Sequence, residues 1–328
     1  MAAGRCTICG NQEGNRLHTA REMMFGFRDE FDYLECGNCG CLQITDVPEN
    51  LSKYYPPNYY SFQDPKPRLL REPGRVRRVL RRQLTGYVLH RRRLIGRLAL
   101  RIRPDWETGP EWTWLRVAGV GLNSRILDVG CGSGQLLLNL RRLGFSDLTG
   151  IDPFIGTDAV HQHVTILKRE LAEVEGTFDL VMLHHSLEHM PNHADVFTEL
   201  SRILDPKGCV LIRIPVSGTA AWRRYGVDWV QLDAPRHLIL HSVKSLRILA
   251  AKAGFEIGKI AFDSTAFQFV GSEQYMKDIP LMDKRSYTVN PTASIFSADD
   301  IKSFEAQASI LNDHADGDAA TFWLRKRH

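Results

Sequence analysis

At 328 residues the chain is long enough for one large α/β unit plus a small appendage. Apolar residues at 43% and charged residues at 24% are those of an ordinary globular protein and exclude gross disorder. No run approaches the roughly 20 apolar residues that cross a bilayer, and the start, MAAGRCTICG, has no signal-peptide core, so a cytoplasmic location is expected. The net charge of +4 is modest, but 14 Lys and Arg face the single acid Glu72 between Lys66 and Arg103.

Residues 1–50 carry Cys6-Thr-Ile-Cys9-Gly10 and Cys36-Gly-Asn-Cys39-Gly40. In a chain without an export signal, paired C-x-x-C motifs read as metal ligands rather than disulfides. The glycine after each second cysteine permits a left-handed turn that brings backbone N–H groups toward sulfur. Cys6, Cys9, Cys36 and Cys39 together supply four sulfurs, enough for a closed, structural, tetrahedral Zn2+ site in a zinc-ribbon-like module. A two-stranded insert is expected between the pairs, and Cys41 is a substitute ligand. Without metal, a module of this size has little core to hold it.

Residues 51–107 form a Tyr/Pro connector, LSKYYPPNYYSFQDP, and then the basic segment. Val76, Val79, Leu80, Leu84, Tyr87, Val88, Leu94, Ile95 and Leu98 recur at helical spacing, with arginines on the other faces. Such a basic amphipathic helix can pack on the neighbouring domain, lie on an anionic membrane surface or bind nucleic acid. On the second reading the protein is peripheral to the inner face of the membrane.

Residues 108–328 alternate apolar runs with helical patterns, as in an α/β Rossmann-like sheet of seven strands. The strands are expected at 125–129, 148–151, 164–167, 178–183, 209–214, 255–262 and 319–324. A turn is expected at Asp205-Pro206-Lys207-Gly208, and helices near 112–120, 136–140, 196–204 and 243–253. The run 178–183 is almost wholly apolar, as expected of a strand buried on both faces.

The first strand runs directly into Gly130-Cys131-Gly132-Ser133-Gly134, and a helix follows. Glycines allow a sharp turn and close approach of a ligand to the main chain, while a helix N-terminus offers free N–H groups. Asp128 precedes the first glycine by two residues, and Asp152 ends the next strand, where an acid accepts hydrogen bonds from ribose hydroxyls.

ILDVGCGSG, GIDP, FDLVMLHHSLEHMPN and LDPKGCVLIRIP, in this order, resemble the motifs of class I S-adenosylmethionine-dependent methyltransferases over about 200 residues. The resemblance implies an S-adenosyl-L-methionine cofactor over the loop of Gly130, Gly132 and Gly134. It implies that Asp152 binds the ribose, that Asp128 and Gly130 face the methionine part, and that His184 lies beside the methyl group. Glu170 and Leu171 fall where the adenine would be contacted.

Methyl transfer is an in-line displacement, and an oxygen nucleophile gains from a histidine base. His237, in the loop after strand five, is the first candidate, and His185, after strand four, the second. Asp233 is placed to orient His237, whereas Glu188 and His189 read as loop-holding residues. Trp222, Tyr225 and Trp229 are expected either to line an acceptor pocket or to be core. Arg223, Arg224 and Arg236 could meet a phosphate-bearing acceptor.

The stretch IPVSGTAAWRRYGVDWVQLDAPRHLILHS, with YYPPNYYSF, looks like methyltransferases of bacterial surface-polysaccharide pathways. The cysteine-rich front end is similar to sugar C-methyltransferases, in which a histidine of the corresponding loop is the base. The resemblance therefore implies O- or C-methylation of a small-molecule sugar acceptor, nucleotide- or lipid-linked. The alternative is an RNA methyltransferase that grips RNA with its zinc module and basic helix. Against it, strand four ends in Leu-His-His-Ser and not in the Asn/Asp-Pro-Pro-aromatic signature of base-amine methylation.

Overall fold

The computed structural model describes residues 4–56, 65–67, 69–70, 74–90 and 111–327. At the start, β1 (Arg16–Arg21) and β2 (Glu30–Glu35) form an antiparallel hairpin that fills the gap between the cysteine pairs. A short β3 (Leu42–Ile44), buried throughout, adds to β2. Helix α1 (Arg75–His90) buries Leu84, Val88 and Leu89 and leaves Val76, Val79 and Leu80 exposed. The expected helical positions Leu94, Ile95 and Leu98, and residues 57–64 of the connector, lie outside the described residues.

In the remaining chain, α2 (Glu111–Ala118) leads to β4 (Arg125–Val129), α3 (Gln135–Leu143), β5 (Asp147–Ile151), β6 (Ala159–His161), β7 (Val164–Leu167) and β8 (Phe178–His184). Then come α4 (His193–Ile203), β9 (Leu204–Pro215), α5 (Ala220–Tyr225), β10 (Ile239–Leu240), α6 (Val243–Lys252) and β11 (Phe255–Phe262). The chain closes with α7 (Phe267–Met276), α8 (Ala298–Asp313) and β12 (Ala319–Lys326).

The large sheet has the order β11-β12-β9-β8-β4-β5-β7-β6. Strands β7, β5, β4, β8 and β9 are parallel, and β12 runs antiparallel between β9 and β11. All seven expected strands are present. The eighth, β6, pairs antiparallel with β7 at the sheet edge; it is three residues long with Val160 exposed, so it carries no alternation that sequence could reveal. The expected turn at 205–208 is instead part of β9, as a bulge: Leu204 faces Phe178 and the next matched pair is Cys209 with Leu180.

Alternation along β8 explains its apolar run. Leu180 and Met182 pack on one face with Ile126, Leu211 and the α2 and α3 residues Trp112, Leu115 and Leu137. Val181 and Leu183 pack on the other with Val129, Ile212 and the α4 and α6 residues Phe197 and Leu249. Both faces are therefore dry, and the polar groups that do chemistry are left at the carboxyl ends of the strands, where open α/β sheets bind ligands.

The small sheet has the order β1-β2-β3-β10, so its last strand comes from the chain after the large sheet's fifth parallel strand. Ser217 Oγ donates to Gly40 O at 2.7 Å and Ser242 Oγ to Cys39 O at 2.5 Å, and these bonds fasten the second cysteine turn to the large unit.

Candidate active site

At the end of β4 the chain turns over the neighbouring β5, with Gly130 N–H and Cys131 N–H both donating to Ile151 O, at 2.8 and 3.1 Å. Gly130 has φ +74°, and a Cβ there would lie 2.5 Å from Ser186 Cβ; Gly134 has φ +74°, and its Cβ would lie 2.2 Å from Ile166 Cδ1. Both backbone conformation and space therefore require glycine. The Asp152 carboxylate braces this turn, accepting from Gly132 N–H at 3.0 Å and Phe154 N–H at 2.9 Å. Each of its oxygens keeps a further lone pair able to accept a hydrogen bond.

Asp128 is almost fully buried beneath the turn. Burial, then the charge of Asp152, pushes its carboxyl up to about 8. A cationic group bound beside it would return such an acid to the ionised form. Glu170 and Leu171 begin a short turn after β7, and Asp152 N–H donates to Leu167 O at 3.1 Å, so they lie at the same sheet end as Asp152.

His184, at the tip of β8, packs its ring against Trp114 at 4.5 Å between centroids. Its Nε2 is buried without a partner, and burial, followed by the charge of Arg213, lowers it to about 3. His185, next in the chain, adopts φ +50° and turns the other way. Its Nδ1 lies 3.3 Å from Glu188 Oε1 and its Nε2 meets Arg213 Nη1.

His185 lines a cavity of about 280 Å³ together with Arg213, Asp263, Ser264, Gln268 and Asp318, at the ends of β8, β9, β11 and β12. Asp263 Oδ1 and Gln268 Oε1 are buried there without a hydrogen-bond donor. Asp318 accepts from Trp229 Nε1 at 2.9 Å, and burial raises its carboxyl to about 6. Sequence reasoning named His185 and missed the other cavity residues. The available signal was polarity out of place: Arg213 interrupts the apolar run of β9, and Asp263 and Asp318 flank strand ends.

His237 is not among the cavity's lining residues. Its Nδ1 lies 2.7 Å from Gln231 O, and burial, then His189, lowers it to about 4. Asp233 does not orient it by a hydrogen bond: its Oδ2 is 3.9 Å from His237 Nε2, and both its oxygens accept from Arg236. Arg236 itself is wholly buried and bonds Asp233, Glu22 and Tyr54 O, so it is no phosphate ligand. Arg223 and Arg224 are likewise paired, with Asp316 and Glu273. Trp222, Tyr225 and Trp229 are core residues.

The sulfurs of Cys6, Cys9, Cys36 and Cys39 lie within 4.8 Å of one another. Cys6 and Cys39 are 3.6 Å apart and Cys9 and Cys36 3.5 Å. Zinc–sulfur bonds of about 2.3 Å at tetrahedral angles set sulfurs about 3.8 Å apart, so this set fits a structural zinc ion. Gly10 and Gly40 take positive φ and close matching turns onto Cys6 O and Cys36 O, both at 2.9 Å. Cys41 lies beside the cluster, 3.5 Å from both Cys6 and Cys39.

No helix among the described residues is long and apolar enough to cross a membrane. Residues 87–260 match the family described as "Methyltransferase domain". The ubiquinone biosynthesis O-methyltransferase of Colwellia psychrerythraea is 35% identical over 101 residues, 26% of this chain and 39% of that one. The enzyme of the same name from Dechloromonas aromatica is 36% identical over 111 residues, 30% and 47% of the two chains. The chain thus spans less than half the length of these curated relatives. Among solved structures it is similar to an O-methyltransferase of a Brevibacillus brevis trans-AT PKS multienzyme in complex with S-adenosyl-L-homocysteine. That likeness has 15% identity and a TM-score of 0.40, covering 74% of this chain and 79% of that one. With residues 87–260 matched, more than half of its length, the chain belongs to the methyltransferase-domain family.

Proposed function

We propose that the protein transfers the methyl group of S-adenosylmethionine to a hydroxyl of a small, hydroxyl-rich acceptor, such as a sugar, held in the cavity at the ends of β8, β9, β11 and β12. The observation that carries this reading is the cavity's excess of acceptor atoms, above all the bare Asp263 Oδ1 and Gln268 Oε1. Buried acceptors without donors are costly, and hydroxyl groups of a ligand would relieve them.

His185 takes the proton in this reading. Glu188 stands at its Nδ1 and its Nε2 faces the cavity wall at Arg213. The acceptor oxygen forms its bond to the methyl carbon as the sulfur–methyl bond breaks, and its proton passes to His185 Nε2 as that nitrogen gives up its contact with Arg213 Nη1. The products are a methyl ether and S-adenosylhomocysteine. His237, the first candidate from sequence, lies outside the cavity lining and is not assigned this step. Zinc held by Cys6, Cys9, Cys36 and Cys39 is structural, and Cys41 packs beside it.

A second reading, a dihydroxylated aromatic acceptor, is favoured by the names of the curated relatives. Phe267 lines the cavity and offers it a phenyl ring. Methyl-labelled cofactor with parallel panels of nucleotide sugars and catechols tests the two. Label entering a sugar supports the first reading, label entering only catechols replaces it with the second, and no cofactor binding removes both.

A further inference from the structure

Three side chains that the proposed step leaves without a direct role in proton transfer or cofactor binding converge from the loops after β8 and β9. Glu188 is 1% exposed, and neither carboxylate oxygen receives a hydrogen bond. His185 Nδ1 stands 3.3 Å from one of them but is not aligned as a donor. A buried carboxylate in this condition needs a cation.

The two neighbouring rings are already set to hold one. His189 Nδ1 lies 2.9 Å from Arg236 O, and His237 Nδ1 lies 2.7 Å from Gln231 O. A carbonyl oxygen only accepts, so both rings carry a proton on Nδ1, with Tyr55 OH also 3.3 Å from that of His189, and a ring that binds a metal would do so through Nε2. Backbone carbonyls fix metal-binding histidines in this way. One ligand atom from each of Glu188, His189 and His237 lies within 4.8 Å of the other two. Bonds of about 2.0–2.2 Å would draw them together by about an ångström.

We propose that Glu188, His189 and His237 bind a zinc-type divalent cation, separate from the four-cysteine site. Two neutral imidazoles and one carboxylate select such an ion over magnesium or calcium, which prefer all-oxygen sites. Three protein ligands leave a coordination position open. Resting on the methyl-transfer reading, that position would take a water or a ligand oxygen, whose proton the ion makes easier to remove. Ser186, two residues before Glu188, packs on Gly130, and Gln231, whose carbonyl holds His237, lines the cavity.

The test is equilibrium dialysis of the full chain against micromolar buffered zinc, with metal content by mass spectrometry and S-adenosylhomocysteine titrated into the same samples. Two zinc ions per chain are expected, falling to one in Glu188→Gln and in His237→Gln. One ion in the unaltered protein, or two retained in both variants, overturns the proposal. Cobalt titration of the unaltered protein needs no variant to fold. The expected result is one equivalent with thiolate charge-transfer bands and a second without them; one equivalent in all overturns the proposal. If S-adenosylhomocysteine binds while the second ion is absent, the metal site falls and methyl transfer stands. If it does not bind at all, the methyl-transfer reading falls whatever the metal count.

Discussion

Arg236 donates from Nη2 to Glu22 Oε1 at 2.9 Å, with both side chains fully buried. The pair joins the turn after β1 to the loop that carries His237, and Glu22 also accepts from Phe25 N–H and Phe27 N–H, each at 2.9 Å. Removing one partner of a buried pair strands the other, at about 3–5 kcal/mol. Arg236→Met should therefore lower unfolding stability by about that amount, measured by urea denaturation. A loss below about 1 kcal/mol would mean that solvent reaches the site.

Asp128 should make cofactor affinity depend on pH. Its carboxyl is raised to about 8, so it is protonated in the free protein at neutral pH and must ionise to pair with the ammonium group of the ligand. Affinity for S-adenosylhomocysteine should rise with pH and level off above about 8, by at most about tenfold per pH unit. The sign for folding is opposite. A raised carboxyl leaves stability intact below its ordinary value of 3.8, and that stability is lost as pH rises toward about 8. Calorimetry across this range, with Asp128→Asn as the flat control, checks both.

Gly130→Ala and Gly134→Ala each place a methyl group into Ser186 or Ile166 and force a left-handed backbone on alanine. Each should weaken S-adenosylhomocysteine binding at least tenfold, about 1.4 kcal/mol. Unchanged affinity in a calorimetric titration would mean that the ligand does not use this turn.

His185→Asn should leave cofactor affinity nearly unchanged while turnover falls by about 10²–10⁴. Asparagine tolerates the positive φ of this position, so the loop is preserved. Full turnover in a methyl-transfer assay would remove His185 as the proton acceptor.

Cys36→Ser should lower zinc content by one ion per chain and reduce the thermal midpoint, because the binding energy of a structural ion is folding energy for the turns it joins. Equal zinc content would show that Cys41 replaces the lost ligand.

The sheet and the cofactor turn were legible in the sequence because their causes are local. A strand dry on both faces must be apolar throughout, as β8 is, and a crowded left-handed turn must be glycine, as Gly130 and Gly134 are. The acceptor side was not legible, because its parts meet only through folding. Glu188 and His237 are brought together by loops after two different strands, and Arg236 meets Glu22 across 214 residues. No periodicity marks such pairs. Arg236 and Asp233 look like surface charges by composition, yet they neutralise each other inside.

Strand β10 gives the order of synthesis a consequence. It completes the sheet begun by β3, with Ile44 N–H donating to Leu238 O at 2.9 Å. The ribosome delivers the cysteine turns first and their last strand roughly 200 residues later, about 10–40 s at ordinary elongation rates. During that interval β3 has an open edge, which invites pairing with another nascent chain. The front end of the protein is therefore finished only when the loop bearing His237 has been made, and a chain truncated before that point would be left both without a site and prone to aggregate.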